Sequence, residues 1–174
     1  MSVIALALVA ALQTTAAQTE EARIGAVLDQ LNVASTAADT TAYFSLFTPD
    51  ARFIGTDRTE RWSMAQFRAF TEPYFAQGKG WTYTPSDRVI TIADIDCRCV
   101  AWFDEQLANA SYGATRGSGV LRLVDGQWKI EQYVLSFAIP NDASKDVVAV
   151  IAEHDAAAAT AQDAAAVADQ AKRD

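Results

Sequence analysis

The sequence predicts an α+β domain in which N-terminal helices pack on a curved antiparallel sheet, followed by an alanine-rich C-terminal helix. Three observations carry that expectation. Apolar residues recur at helical spacing between Glu20 and Phe75, residues 81–137 alternate like strands broken by turn residues, and the chain after Pro140 is dominated by alanine.

Of 174 residues, 51% are hydrophobic and 21% charged, an ordinary globular mixture with material for one core. Lys and Arg number 14 against 22 Asp and Glu, a formal charge of −8. Without a basic cluster this balance argues against nucleic acid as a partner, because phosphate binding runs on grouped Lys and Arg.

Val3 to Leu12 form an apolar run, followed by Thr14, Thr15, Ala16 and Ala17. A bilayer demands about 20 such residues. The run is too short, and its small-residue flank predicts a secretory signal over 1–17, although no basic side chain precedes it. A periplasmic or secreted protein, with no membrane span after processing, follows from that expectation. The alternative is an apolar helix docked on the domain.

Ile24, Val27, Leu28 and Leu31 share one helical face between Glu20 and Ala37. A second helix is expected from Asp39, a good N-cap, through Tyr43, Phe44 and Phe47 until Pro49 and Asp50 stop it. Ala51 to Gly55 reads as a short strand. Ser63 and Gln66 form a capping box opening a third helix, whose Met64, Phe67, Phe70, Tyr74 and Phe75 make a wide aromatic stripe, with Pro73 a possible restart.

Breaks at Asp94 to Asp96 and at Asn109 to Ser111 divide the strand region, and Asp125-Gly126 is a two-residue hairpin turn. That turn pairs Val124 with Gln127. Carried outward, the register puts Leu123, Leu121, Gly119, Gly117 and Thr115 beside Trp128, Ile130, Gln132, Val134 and Ser136 on one apolar face, the expected wall of a cavity. A two-residue turn at Asn109 and Ala110 would add Trp102 and Asp104 to that wall; one extra loop residue would move both to the far side. Tyr133, Leu135 and Phe137 are then expected as an apolar patch on the outer face, covered by the tail or by a second subunit.

Cys97 and Cys99, the only cysteines, lie in a strand-like run and point to the same face, where bridging them would force a tight ring. Small buried or half-buried thiols are expected, with an intermolecular disulfide as the alternative. His154 is the only histidine, so neither a metal site nor a Ser-His-Asp triad is expected, and no cofactor. Beyond Pro140, Val147, Val150 and Ile151 predict a long helix docked near those residues and loose after about Ala156.

The order of helices and strands is that of a cone-shaped α+β domain. Phe53-Ile54-Gly55-Thr56-Asp57 with Glu60, Arg61 and Trp62, then Pro73-Tyr74-Phe75, Gly78, Gly80, Trp81 and Ala101-Trp102-Phe103-Asp104-Glu105 come in sequence. Arg116-Gly117-Ser118-Gly119, Trp128-Lys129-Ile130, Gln132, Tyr133, and Pro140-Asn141 complete the series. In these marks the chain resembles the nuclear transport factor 2-like superfamily, and within it the SnoaL-like group, over roughly Glu20 to Asn141. The division is then 1–17 signal, 18–141 SnoaL-like domain and 142–174 helical tail.

The resemblance implies a cone whose mouth takes small hydrophobic or aromatic molecules, and homodimers paired through the outer sheet face. It does not imply one reaction. Many SnoaL-like sequences carry His at the strand positions that here are Gln132 and Val134, so the usual acid-base equipment is missing.

The site expectations follow from the register. Asp104, desolvated beside Trp102, is the candidate general base. Trp62, Phe67, Tyr74, Trp102, Thr115, Gln132 and Ser136 are the candidate ligand contacts, the last two as neutral hydrogen-bonders on an apolar wall. Tyr83 is a further hydroxyl that could orient a ligand. Three readings result: an exported domain that binds a small, largely apolar molecule, a proton-transfer isomerase or lyase using Asp104, and a dimeric scaffold with a filled pocket.

Overall fold

A computed structural model describes residues 19–170 and 172–173; the expected signal segment lies outside the described residues. The helices are α1 (Glu20–Thr36), α2 (Thr40–Ser45), α3 (Met64–Phe75) and α4 (Ser144–Gln170). The strands are β1 (Phe47–Ile54), β2 (Arg61–Ser63), β3 (Thr84–Ile92), β4 (Val100–Asn109), β5 (Gly113–Val124) and β6 (Gln127–Phe137), in one sheet ordered β2-β1-β6-β5-β4-β3. The sheet is antiparallel except for β1 and β6, which run parallel. Its concave face meets α1, α2 and α3, giving the expected α+β cone.

The helix starts obey their side chains. Thr19 accepts from the Ala22 amide, Asp39 from the Ala42 amide at 2.9 Å, and Ser63 and Gln66 close a complete capping box. Ile24, Leu28 and Leu31 bury the apolar stripe of α1 against the sheet. Pro73 sits inside α3 without dividing it. The second helix is shorter than expected: it ends at Ser45, and Phe47, already in β1, packs into the core while Pro49 and Asp50 are pushed outward where the β1 register shifts.

The Asp125-Gly126 turn forms with both residues at positive φ, 50° and 76°, and Val124 pairs with Gln127 as expected. The register then changes. Leu121 pairs with Ile130 but Val120 pairs with Gln132, so Glu131 is an extra residue in β6. Such a bulge exchanges the two faces for everything beyond it. Tyr133 and Leu135 therefore point into the cone, and Gln132, Val134 and Ser136 point out, correcting the wall placed from sequence. The outer apolar patch expected at Tyr133 and Leu135 does not form.

The β4–β5 loop makes a second correction. Asn109 pairs with Gly113 across three residues, not two, which sets Trp102 opposite Val120 and Asp104 opposite Ser118 on the outer face. Trp102 is 48% exposed, and Phe103, Glu105 and Leu107 take the inward positions.

Cys97 and Cys99 are bonded to each other. The expectation of thiols assumed a strand, but residues 94–99 form a turn, with Arg98 at φ 45°, and the reversal brings the two sulfurs together. Nor does α4 dock as expected. Val148 and Ile151 remain 65% and 45% exposed, and a bidentate ion pair from Arg58 to Asp155, at 3.0 and 3.1 Å, links the helix to the loop after β1. From Ala152 to Ala166 no large apolar side chain continues the stripe, and alanine buries little area.

Candidate functional site

Cones of this kind are closed at the bottom by the sheet and roofed by helices, so side chains pointing inward decide what the hollow holds. The cavity has a volume of about 100 Å³ and is open at one side. Its roof comes from Leu31, Asn32 and Ser35 of α1, Tyr43 of α2, and Phe67 and Phe70 of α3. The sheet contributes Phe53, Trp62, Tyr133 and Leu135, and loop residues complete the lining: Gly55, Thr56 and Glu60 after β1, Trp81 and Tyr83 before β3, and Tyr112 between β4 and β5.

Aromatic rings stack along one wall. Tyr133 lies on Phe53 (5.4 Å between centroids, 8° between planes), Phe53 on Phe67 (3.9 Å, 15°) and Phe67 on Trp62 (5.5 Å, 14°). Trp62 continues to Phe70 at 4.7 Å, and Phe70 faces Trp81 at 6.2 Å with 3° between planes. Near-parallel faces suit a flat guest, since offset stacking is a preferred arrangement of aromatic rings.

Three phenols line the hollow, those of Tyr43, Tyr83 and Tyr133. Their hydroxyls hydrogen-bond to no described residue, and none of the three is sealed off as a buried orphan atom. Burial pushes Tyr83 up to about 12, and burial with the charges of Glu105, Tyr43 and Tyr83 pushes Tyr133 well above the ordinary value; burial does the same for Tyr43. All three therefore remain neutral donors. The Ser35 hydroxyl is spent on the Trp81 carbonyl, and Asn32 donates to the Leu28 carbonyl, which leaves its amide oxygen as an acceptor.

Tyr133 needs a missing side chain beneath it. A Cβ on Gly117 would stand 2.6 Å from the Tyr133 hydroxyl, 3.1 Å from Leu107 Cδ1 and 3.3 Å from Glu105 Cγ. A Cβ on Gly119, next to the bulge, would run into the Gln132 carbonyl. These glycines thus admit close approach, and Gly117 in particular lets the phenol lie flat on the sheet.

Beneath Tyr133 lies a carboxylate that the sequence reading passed over. Glu105 is 1% exposed and accepts from Arg88 Nε at 2.7 Å. Arg88 also reaches Asp29 at 2.8 Å and the Gly25 carbonyl at 3.1 Å, tying β3 and β4 to α1. Glu105 Oε1 and Arg88 Nη2 have no partner. Desolvation raises the Glu105 pKa, against the lowering effect of Arg88. Burial works against the Arg88 charge too, but its bonds to Glu105 and Asp29 outweigh that and raise its pKa. Glu105 does not itself line the cavity. Its signal in the sequence was a single acid in the row Ala101, Phe103, Glu105, Leu107, legible only once the loop length is known.

Of the residues expected at the site, Trp62 and Phe67 line the cavity, as does Tyr83. Tyr74 is exposed and stands behind the wall, against Phe70 and Trp81. Thr115 faces inward but is fully buried, its hydroxyl bonded to the Leu107 carbonyl. Asp104, Trp102, Gln132 and Ser136 are on the outer face, for the register reasons given above. Tyr43, Tyr133 and Asn32 were not anticipated. Among the described residues no group of three or more His, Cys, Asp or Glu stands together as a metal-ligand set, and no described helix is long and apolar enough to cross a membrane.

Solved structures share the fold. A nuclear transport factor 2-like protein of Pseudomonas putida superposes with a TM-score of 0.57 at 12% identity, covering 71% of this chain and 89% of that one. One from Cytophaga hutchinsonii does so at 0.57 and 18%, covering 70% and 100%. A candidate dehydratase of the nuclear transport factor 2-like family from Streptomyces avermitilis matches at 0.56 and 12%, covering 69% and 97%. Comparison with curated proteins finds no match. Residues 24–140 match the SnoaL-like domain. The chain belongs to the SnoaL-like domain family, and it shares the fold of these nuclear transport factor 2-like proteins.

Proposed function

We propose that this protein binds a small, flat, largely apolar molecule that carries an oxygen acceptor. The observation that carries this reading is the set of three phenols, their hydroxyls without a partner among the described residues, that line an aromatic-walled hollow of about 100 Å³. Cavities of about 150 Å³ hold benzene, so the hollow encloses at most a single ring, with any further part of the guest at the open side. Aromatic faces supply the affinity, and the phenols supply orientation by donating to the acceptor. Unsatisfied donors also select against guests that lack the acceptor.

A proton-transfer enzyme of isomerase or lyase type is the second reading, favoured by the buried carboxylate beside Tyr133 with one oxygen free. In that reading Tyr133 touches the substrate, and Glu105 acts through it as a positioning residue in place of Asp104. Export to the periplasm or beyond, and pairing of two copies through the outer face around Trp102 and Val89, complete the proposal.

Native mass spectrometry of the protein from its own cell envelope tests it. A retained molecule of single-ring size and a dimeric mass are expected. Protein that arrives empty and takes up no phenol or cyclic ketone in a calorimetric screen would sink the binding reading.

A further inference from the structure

We propose that the Cys97–Cys99 pair is a thiol–disulfide exchange site whose partner is a dithiol. The two sulfurs are bonded across one intervening residue, Arg98. A disulfide restrains the unfolded chain according to the length of the loop it closes. Here that loop is the turn itself, so the bond ties no helix or strand to another.

The turn is held by other means. Ala93 donates to Val100 at 2.9 Å, Ile95 to Ala93 at 3.0 Å and Arg98 to Ile95 at 2.9 Å, while the Leu123 amide donates to the Cys99 carbonyl at 2.8 Å and fastens the turn to β5. Structural need does not account for the bond. Its surroundings suit exchange. Cys97 is exposed and Cys99 half-buried, so an incoming thiolate meets Cys97 first. Arg98 forms no ion pair among the described residues. A cationic side chain on the intervening residue favours the thiolate that must leave.

A partner thiolate attacks Cys97 Sγ, the sulfur–sulfur bond breaks with its electron pair on Cys99 Sγ, and a mixed disulfide joins the partner to Cys97. The second partner thiolate attacks the partner sulfur of that bond, and Cys97 leaves as a thiolate. Cys97 and Cys99 end as a dithiol and the partner as a disulfide, two electrons and two protons having passed to the chain. The site stands at the end of β4 opposite the loop that carries Tyr112, so it is independent of the cavity and of the ligand reading.

The full chain equilibrated in glutathione buffers, acid-quenched, alkylated and weighed provides the test, beside a protein whose disulfides close long loops. The pair is expected to open at glutathione ratios that leave the control intact. The oxidised chain is expected to oxidise a dithiol peptide about tenfold faster than oxidised glutathione does. Cys99→Ser, offered the peptide in its disulfide form, is expected to hold it as a mixed disulfide on Cys97, and Cys97→Ala/Cys99→Ala to keep the fold, by circular dichroism, without the activity. The proposal fails if the bond survives excess reduced glutathione, if exchange is no faster than with glutathione alone, if reduction melts the domain, or if oxidised glutathione leaves both sulfurs as free thiols.

Discussion

The floor of the cone and the C-terminal helix solve opposite problems with the same kind of interaction. At the floor, Arg88 bonds Glu105 and Asp29, with Glu105 withdrawn from water. At the tail, Arg58 bonds Asp155 where both partners are largely exposed. Geometry is comparable in the two places, yet the surroundings differ. A desolvated charge that loses its partner has no water to replace it, while an exposed one is rehydrated at once.

The largest test of that contrast is Arg88→Met. It should cost about 3–5 kcal/mol, because Glu105 is left buried and alone, and the double variant Arg88→Met/Glu105→Leu should recover most of the loss. Urea unfolding with an unchanged slope measures both. If the single variant loses less than about 1 kcal/mol, the floor behaves like the tail and the contrast is false.

Gly117→Ala comes next. The new methyl would meet the Tyr133 hydroxyl, and overpacking of this kind costs about 1–3 kcal/mol. Ligand affinity should fall with it. Tyr133→Phe separates the two effects: binding of an acceptor-bearing ligand should weaken about tenfold, the worth of a hydrogen bond near 1.4 kcal/mol, while melting stays nearly constant. Titration calorimetry on both variants distinguishes a displaced hydroxyl from a deformed wall.

A directional test uses pH. Burial raises the Glu105 pKa above its ordinary 4.5, so the native state keeps this proton to a higher pH than the unfolded chain does. The associated stability is present below about 4.5 and is lost as pH rises through the folded value. Glu105→Gln cannot titrate. The stability of the parent relative to that variant should therefore decline as pH rises from 4.5 toward neutrality, and a rise would mean that the Arg88 pairing outweighs burial.

The smallest effect belongs to the tail. Arg58→Ala, or removal of residues 142–174, should change the stability of the cone by no more than about 0.5 kcal/mol. A larger loss in differential scanning calorimetry would show that α4 does bury a face.

Local chemistry made much of the fold legible. The capping box at Ser63 and Gln66, the cap at Asp39, the stripe Ile24-Leu28-Leu31 and the Asp125-Gly126 turn are satisfied within a few residues of chain, so they can be read without a partner. The marks from Phe53 to Asn141 likewise pointed to the right family. The site was less legible. Trp62 and Phe67 reach it from either side of the α3 start, whereas Asp104, Trp102, Gln132 and Ser136 were displaced from it by one loop residue and one bulge.

What the sequence by itself determined is therefore the set of elements, their order and the apolar helix faces, since spacing and capping act over a turn or two. Which of two alternating rows in β4 and β6 looks into the cone was decided only by tertiary structure. Strand side chains repeat every second residue, so a single unpaired residue at Glu131 or in the 110–112 loop exchanges the rows. Whether that residue is inserted depends on how the whole sheet curves against α1 and α3.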